Sequence, residues 1–282
     1  MHDYFCGWYF KCQSDTQTVA AIAAVHRSKG QRSCSIQLIT DENAWNATFP
    51  YEAFRHDKSK HRLDIGGSSF SKEGMTLHID TPSLTATGAI DFGRLSPIKY
   101  DIMGPFRYIP FMECRHSIVS MNHTVNGSLD INGKQYRFTD GAGYIEGDRG
   151  SSFPSEYVWT QCCFENGSLM LSAARIPLGP FPFTGIISIV KLHGREYRLA
   201  TYLGARLVSH ERGQVVIRQG DMMLSARLIE KNSHPLAAPR RGVMDRTIHE
   251  SASCRAAYRF QKGGRTLLEL ETDRASFEYE YR

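Results

Sequence analysis

Residues 75–80 read MTLHID, a stretch in which apolar and polar side chains alternate. A period of two places successive side chains on opposite faces of a β-strand, so this stretch predicts a strand with one buried face. The same alternation recurs in residues 119–125 and 276–281. Pairs such as Asn132-Gly133, which suit tight hairpins, separate such runs. The sequence therefore predicts meandering antiparallel strands.

The fold class follows from what surrounds these runs. No stretch of 12 or more residues has convincing helical periodicity, which argues against nucleotide-binding α/β folds. We predict an all-β protein of two barrel-like or sandwich-like halves, residues 1–140 and 141–282. The segment 98–115, which is rich in proline and large apolar residues, is expected to pack between them. Barrels of this kind can enclose a small apolar ligand.

Composition restricts the partners. The 282 residues are 41% apolar and 22% charged, as in ordinary globular proteins. The formal charge of +5 is scattered along the chain, so no nucleic-acid partner is expected. Neither a signal peptide nor a transmembrane segment is recognisable, and seven unpaired-looking cysteines suit a reducing compartment. We expect a soluble cytoplasmic protein whose oligomeric state the sequence does not determine.

Several kinds of chemistry lack their motifs. There is no G-x-S-x-G nucleophile elbow, and Gly141-Ala142-Gly143 lacks the third glycine of a dinucleotide fingerprint, so it is interpreted as a turn. The 11 histidines are spread singly, and the nearest approach to a metal site is Cys114-Arg115-His116 with His123. No metal or cofactor is expected.

The densest group of chemically active side chains begins at a glycine-rich bend. Glu146 and Asp148 stand in it beside Arg149, and Phe153 follows. The acids either work on a ligand or form structural ion pairs with the arginine. Glu113, at the end of the apolar loop, has the same two interpretations.

The strand predicted after the bend carries Tyr157, Trp159 and Gln161 on one face. Aromatic rings and an amide near carboxylates suit an apolar ligand with one or two polar handles, although the rings can equally be core. His123 shares a strand face with Val119 by alternation. A histidine there is usually a core residue, but inside a barrel it can meet a ligand.

The chain resembles the tocopherol cyclase family. The resemblance rests on GYIEGDRGSSFPSEYVWTQC at 143–162, which has the family's acidic residue, glycine, Phe-Pro and W-x-Q pattern. The stretches 103–123 and 236–254 support it. One position departs from the pattern, because Arg149 stands where a tryptophan is expected. The resemblance implies two lipocalin-like β-domains that enclose an apolar pocket.

The reaction implied by this resemblance is ring closure of a prenylated hydroquinone to a chromanol, without a cofactor. An acid protonates the alkene, and the phenol oxygen adds to the tertiary cation. Glu146 or Asp148 would supply the acid. Tyr157 and Trp159 would stabilise the cation, and Gln161 or His123 would hold the phenol.

A second interpretation keeps the fold and removes the reaction. On this alternative the protein binds a small lipophilic ligand without converting it. An enzyme needs a carboxyl group held protonated in a cavity, whereas a carrier would leave both acids exposed or salt-bridged. A scaffold protein is a third, weaker possibility that predicts an exposed apolar patch.

Overall fold

The computed structural model describes residues 3–57, 59, 61–110, 112–176 and 183–281. The described chain forms two compact units, and each is antiparallel and all-β as the sequence predicts. Unit 1 comprises Met1–Pro97, Met112–Phe153 and Pro235–Thr247, and unit 2 comprises Ile98–Phe111, Pro154–His234 and Ile248–Arg282. The domain boundary near residue 140 stays a prediction.

Unit 1 contains an eleven-stranded sheet in the order β4-β3-β2-β1-β11-β10-β9-β8-β7-β6-β5. Its strands are β1 Tyr4–Gln13, β2 Thr18–Ser28, β3 Gln31–Thr40, β4 Ala44–Pro50, β5 Phe54–Asp57, β6 Arg62–Ile65, β7 Ser68–Phe70, β8 Gly74–Thr81, β9 Leu84–Phe92, β10 Cys114–Ile131 and β11 Lys134–Gly150. The strands follow one another as hairpins, except that β1 pairs with β11.

Unit 2 repeats this scheme in a ten-stranded sheet, whose order is β15-β14-β13-β12-β21-β20-β18-β17-β16, with β19 paired to β20. Its strands are β12 Tyr157–Phe164, β13 Gly167–Ile176, β14 Phe183–Leu192, β15 Arg195–Ala200, β16 Arg206–Glu211, β17 Gln214–Gln219, β18 Met222–Glu230, β19 His234–Arg240, β20 Val243–Lys262 and β21 Arg265–Tyr279. Most of β19 and the start of β20 belong to unit 1. Neither strand order returns on itself within the described residues, so the halves are sandwiches and not closed barrels.

Helices are short. The described ranges contain 3₁₀ turns at Tyr51–Ala53, Gly104–Tyr108 and Thr201–Leu203. No helix in this part of the chain has the length and hydropathy needed to span a bilayer.

Each unit has its own hydrophobic core. In unit 1 the core takes alternate residues of β1, β2 and β3, among them Phe10, Ala21 and Ile36. Strands β6–β9 contribute to the same core through side chains such as Phe70, Leu77 and Ile90. In unit 2, Val158 and Cys162 of β12 face the core. The other face of these strands is therefore available for polar side chains.

The segment 141–150 differs from its prediction, because it is part of β11 and not a turn or a bend. Its glycines allow close packing. A Cβ atom on Gly143 would lie 2.3 Å from Nε2 of His123, and one on Gly150 would lie 1.9 Å from the carbonyl oxygen of Glu113. Glycine is a turn signal in sequence, but in a strand it also marks a place where another group approaches the backbone.

Candidate functional site

His116 lies between two carboxylates in unit 1. Pairing of β10 with β11 sets His116 opposite Asp148, and Ile118 opposite Glu146. Nδ1 of His116 is 2.9 Å from Oδ1 of Asp148, and its Nε2 is 3.1 Å from Oε2 of Glu146. The His116 and Glu146 side chains are 9% and 7% exposed, and that of Asp148 is 21% exposed. The imidazole is thus ion-paired on both sides and largely shielded from water.

The surroundings of these groups are polar as well. The hydroxyl of Tyr144 donates a 2.5 Å hydrogen bond to Oε2 of Glu146. In register, β1 places Tyr9 opposite Glu146 and the buried Lys11 opposite Tyr144. Alternation puts all of these side chains on one face of the sheet, opposite the hydrophobic core. We call His116, Tyr144, Glu146 and Asp148 the acid cluster.

The acid cluster holds a proton on its histidine. Burial alone would lower the pKa of His116, but the charges of Glu146 and Asp148, with a hydrogen bond to Asp148, raise it well above 6.5. The histidine is therefore an imidazolium at neutral pH. The Cys114 thiol donates to Oδ1 of Asp148 at 3.5 Å, and burial together with that carboxylate's charge raises its pKa. The thiol therefore stays protonated.

The same side chains have the donor set of a cation site. His116, Glu146 and Asp148 offer one nitrogen and two oxygen atoms within 4.8 Å of one another. Imidazole and carboxylates suit divalent ions such as Zn²⁺. A cation there would replace the imidazolium proton, because a ligating imidazole is neutral.

Three other residues predicted for the site, Arg149, His123 and Glu113, also belong to unit 1. Arg149 is exposed and, by alternation, on the opposite face of β11. His123 pairs with Gly143 and meets the ring of Phe92, a core residue, at 4.8 Å. The backbone carbonyl oxygen of Glu113 accepts a hydrogen bond from the backbone N–H of Ser151 at 2.8 Å, which fixes the backbone at Glu113.

Phe153, also in unit 1, packs edge-on against Phe5, with 5.3 Å between ring centroids. Its backbone N–H donates to the carbonyl oxygen of Pro239 at 3.2 Å. This ring is half-buried and anchors the end of the segment that follows β11.

In unit 2, Tyr157, Trp159 and Gln161 share the face of β12 that is turned away from that unit's core, as alternation predicts. All three are buried. The hydroxyl of Tyr157 donates to Oε2 of Glu278 on β21. The amide of Gln161 lies 3.2 Å from Sγ of Cys163.

The sequence interpretation missed the joining of His116 to the acids. In the sequence His116 stands beside Cys114, some 30 positions before Glu146 and Asp148, and nothing local links it to them. A signal existed in the Asn132-Gly133 turn, because it predicts a long hairpin that brings the two segments side by side.

Comparison with known proteins gives the family resemblance. The family model described as tocopherol cyclase-like matches residues 83–176, which contain the acid cluster and the 143–162 pattern. The predicted resemblance is therefore confirmed over this part of the chain. The supporting stretch 236–254 lies outside the match. No curated protein matches this chain by sequence.

Solved structures show the same fold. CghA aligns with a TM-score of 0.65 at 8% identity, over 99% of this chain and 88% of CghA. CghA with Sch210972 gives 0.62 at 8% identity, over 99% and 89%. Kievitone hydratase from Nectria haematococca gives 0.56 at 8% identity, over 99% and 89%. These values establish similarity of fold.

Proposed function

We propose, from the tocopherol cyclase-like match over residues 83–176, that this protein is an acid-catalysed cyclase that closes a ring on a prenylated phenol. The observation that supports this proposal most is the acid cluster, because it stores a proton beside a buried carboxylate. The reaction class requires that proton and no redox change. An enzyme named as a hydratase, kievitone hydratase, has the same fold.

The proton on His116 can move to Glu146. In water an imidazolium–carboxylate pair is favoured, whereas a dry, apolar site penalises both charges. A lipophilic substrate that expels water therefore favours the neutral pair, in which Glu146 carries the proton that His116 held. Their 3.1 Å separation permits this transfer without movement of the backbone. Asp148 keeps the imidazole oriented through its contact with Nδ1.

The reaction balances without a second reactant. Glu146 donates its proton to the less substituted alkene carbon, and a tertiary cation forms at the other. The phenol oxygen then bonds to this cation, and its proton returns through Glu146 to His116. The product is an isomer of the substrate. Such proton transfer contributes typically 10²–10⁴-fold in rate.

A lipophile carrier is the second candidate, and one observation favours it. Both acids are ion-paired with His116, which is the arrangement expected of a carrier. The roles of Tyr157, Trp159 and Gln161 in holding a ligand remain predictions under either candidate. Turnover in labelled solvent separates the two functions.

The test is incubation with a prenylated hydroquinone in heavy water, followed by chromatography and mass spectrometry. Cyclisation adds one deuteron to carbon, which binding cannot do. We expect labelled chromanol from the wild type and a loss of roughly 100-fold in Glu146→Gln. The matched control is Glu73→Gln, an exposed carboxylate of the same unit that should leave the rate unchanged.

Three outcomes would contradict the proposal. Recovery of unlabelled hydroquinone that nevertheless binds to the protein would favour the carrier. Loss of activity after EDTA treatment, with recovery on adding Zn²⁺, would replace the proton mechanism by a metal-dependent one. Full activity in both Glu146→Gln and Asp148→Asn would remove the acid assignment.

A further inference from the structure

A cavity lies in unit 1, at the β2–β3 hairpin. Its volume is about 350 Å³, and β2, β3, β4 and the start of β20 line it. Along β1, His26 pairs with Phe5, whereas Glu146 pairs with Tyr9. Four residues of strand separate them, which is about 13 Å. The cavity is thus a different site from the acid cluster.

The strand faces that line this cavity are polar. Ser33, Ser35 and Thr48 project into it, whereas the intervening residues Cys34 and Ala47 belong to the core. Hydroxyl groups on neighbouring strands can each donate one hydrogen bond to a ligand oxygen. An apolar ligand would gain little from such a wall.

The charged side chains that line the cavity are positive. Lys29 and Arg32 line the cavity at the exposed tip of the hairpin, and His26 lies deeper. No carboxylate is among its described lining residues. The nearest acid in the hydrogen-bond pattern is Asp3, whose Oδ1 accepts from the Lys29 backbone N–H at 3.1 Å. A concave surface with cations at its mouth attracts anions.

His26 adds a buried group with unused hydrogen-bonding capacity. It is 6% exposed, and its Nε2 is 2.9 Å from Oγ of Ser35. Its Nδ1 has no hydrogen-bond partner among the described residues. Buried polar atoms without partners are uncommon and point to a missing ligand or water.

The wall opposite the strands is fixed in place. Oγ of Ser28 donates to the carbonyl oxygen of Arg241 at 3.1 Å, and the Gly242 N–H donates to the carbonyl oxygen of Ser151 at 2.8 Å. Gly242 has a φ of +73°, and a Cβ there would lie 2.2 Å from the carbonyl oxygen of Arg27. This turn seats Val243 and Met244 at the cavity as an apolar wall.

We propose that this cavity binds a small organic phosphate monoester, with Lys29 and Arg32 on the phosphate and Val243 and Met244 against its organic part. The volume is larger than inorganic phosphate needs and suits a small organic molecule. Arginine and lysine are the usual phosphate ligands. The hydroxyls of Ser33 and Thr48 add two donors, and the hydrogen-bonded pair of His26 and Ser35 adds one more, from the ring or from the hydroxyl according to the tautomer.

Phenyl phosphate, inorganic phosphate and phenol are the probes, measured by calorimetry on the full chain. Phenyl phosphate should bind, inorganic phosphate more weakly, and phenol not at all at the same concentration. Lys29→Gln and Arg32→Gln should each weaken phenyl phosphate binding about tenfold, as loss of a charged hydrogen bond does. Lys72→Gln, an exposed cation of unit 1 outside the lining, should bind as the wild type does.

Lys29 and Arg32 are exposed, and glutamine keeps a polar side chain at either position, so neither replacement should disturb the fold. The His26 ring resonances should move on adding phenyl phosphate to the wild type and to Lys72→Gln. Equal affinity in Lys29→Gln, Arg32→Gln and wild type would overturn the proposal. Equal binding of phenol, or of inorganic phosphate, would overturn the assignment of an organic phosphate.

Discussion

At the scale of single residues, His116 determines the electrostatics of the acid cluster. Its ring forms ion pairs with both Glu146 and Asp148, at 3.1 and 2.9 Å. Removing one member of a buried ion pair leaves the other charge uncompensated, which costs more than the pair contributes when intact.

Replacement of His116 by glutamine should therefore destabilise the protein by about 3 kcal/mol, as measured by urea unfolding. The double variant His116→Gln/Glu146→Gln removes one charge of each sign and should recover about half of that loss. A single variant as stable as the wild type would show that the two acids do not depend on the imidazolium.

At the scale of elements, the pairing of β9 with β10 depends on glycine. Gly88 has a φ of +127°, and a Cβ there would lie 2.3 Å from the carbonyl oxygen of Ser128. Gly133, in the following turn, has a φ of +81° with nothing within 4 Å. Alanine is strained at both positions but clashes with backbone only at Gly88.

We expect Gly133→Ala to cost about 1 kcal/mol and Gly88→Ala roughly 3 kcal/mol of unfolding free energy. Thermal and urea unfolding of the two variants provide the comparison. Equal losses would mean that the approach of β10 to Gly88 is looser than the structure shows.

The segment Ile98–Phe111 is held to unit 2 by Arg198. The Arg198 guanidinium donates to the carbonyl oxygens of Tyr100 and Asp101 at 2.8 and 3.0 Å, and lies 3.6 Å over the Tyr100 ring. The residue is 7% exposed. Glu196 accepts from the Lys99 backbone N–H at 2.9 Å, and the Tyr202 hydroxyl donates to the carbonyl oxygen of Ile102 at 2.9 Å. The predicted loop is thus held by three side chains of unit 2 that the sequence does not single out, and Arg198 makes two of these four hydrogen bonds.

Arg198→Met should release this segment while keeping the side chain's bulk. Limited trypsin digestion should then cut after the exposed Arg107 several-fold faster than in the wild type. Arg218→Met, an exposed arginine of the same unit, is the control. Unchanged cleavage would show that the other contacts of the segment, among them the hydrogen bonds to Glu196 and Tyr202, are sufficient to hold it.

The β10–β11 hairpin shows how far sequence reasoning reaches. The Asn132-Gly133 turn was predicted, and counting back from it without interruption pairs His116 with Arg149. Register shifts in β10 between Ile118 and Gly127 change the pairing by one residue in total, so His116 pairs with Asp148. One residue of register exchanges the two faces of a strand. Alternation therefore predicted the strands, whereas the acid cluster depended on bulges that no local pattern encodes.

At the scale of the whole molecule, three buried histidines of unit 1 shape the pH dependence of stability. Burial lowers the pKa of His26 and of His123 to about 4, whereas the pKa of His116 is raised by its acids. The contribution of His116 to the free energy of unfolding is present below pH 6.5. It is lost as the pH rises through the pKa of His116 in the folded protein. The contributions of His26 and His123 are lost as pH falls from 6.5 towards 4.

Stability should therefore be greatest near pH 6.5 and decline on both sides. We call the loss of unfolding free energy below pH 6.5 the acid limb and the loss above it the alkaline limb. His26 and His123 should each contribute on the order of 3 kcal/mol to the acid limb. Guanidinium unfolding at pH 4.5, 6.5 and 9 measures both limbs. In His123→Asn the acid limb should become shallower and the alkaline limb should persist; an unchanged acid limb would exclude His123 as its source.

Proton transfer from His116 to Glu146 is tested most directly by measuring the protonation of His116. Nitrogen-15 spectra of the histidine rings at pH 7, recorded with and without a hydroquinone whose side chain is saturated, report the protonation of His116 in each state. We predict an imidazolium in the free protein that becomes neutral when the unreactive ligand binds, while His26 and His123 are neutral in the free protein. A neutral His116 in the free protein, or one that stays charged with ligand bound, would contradict proton transfer to Glu146.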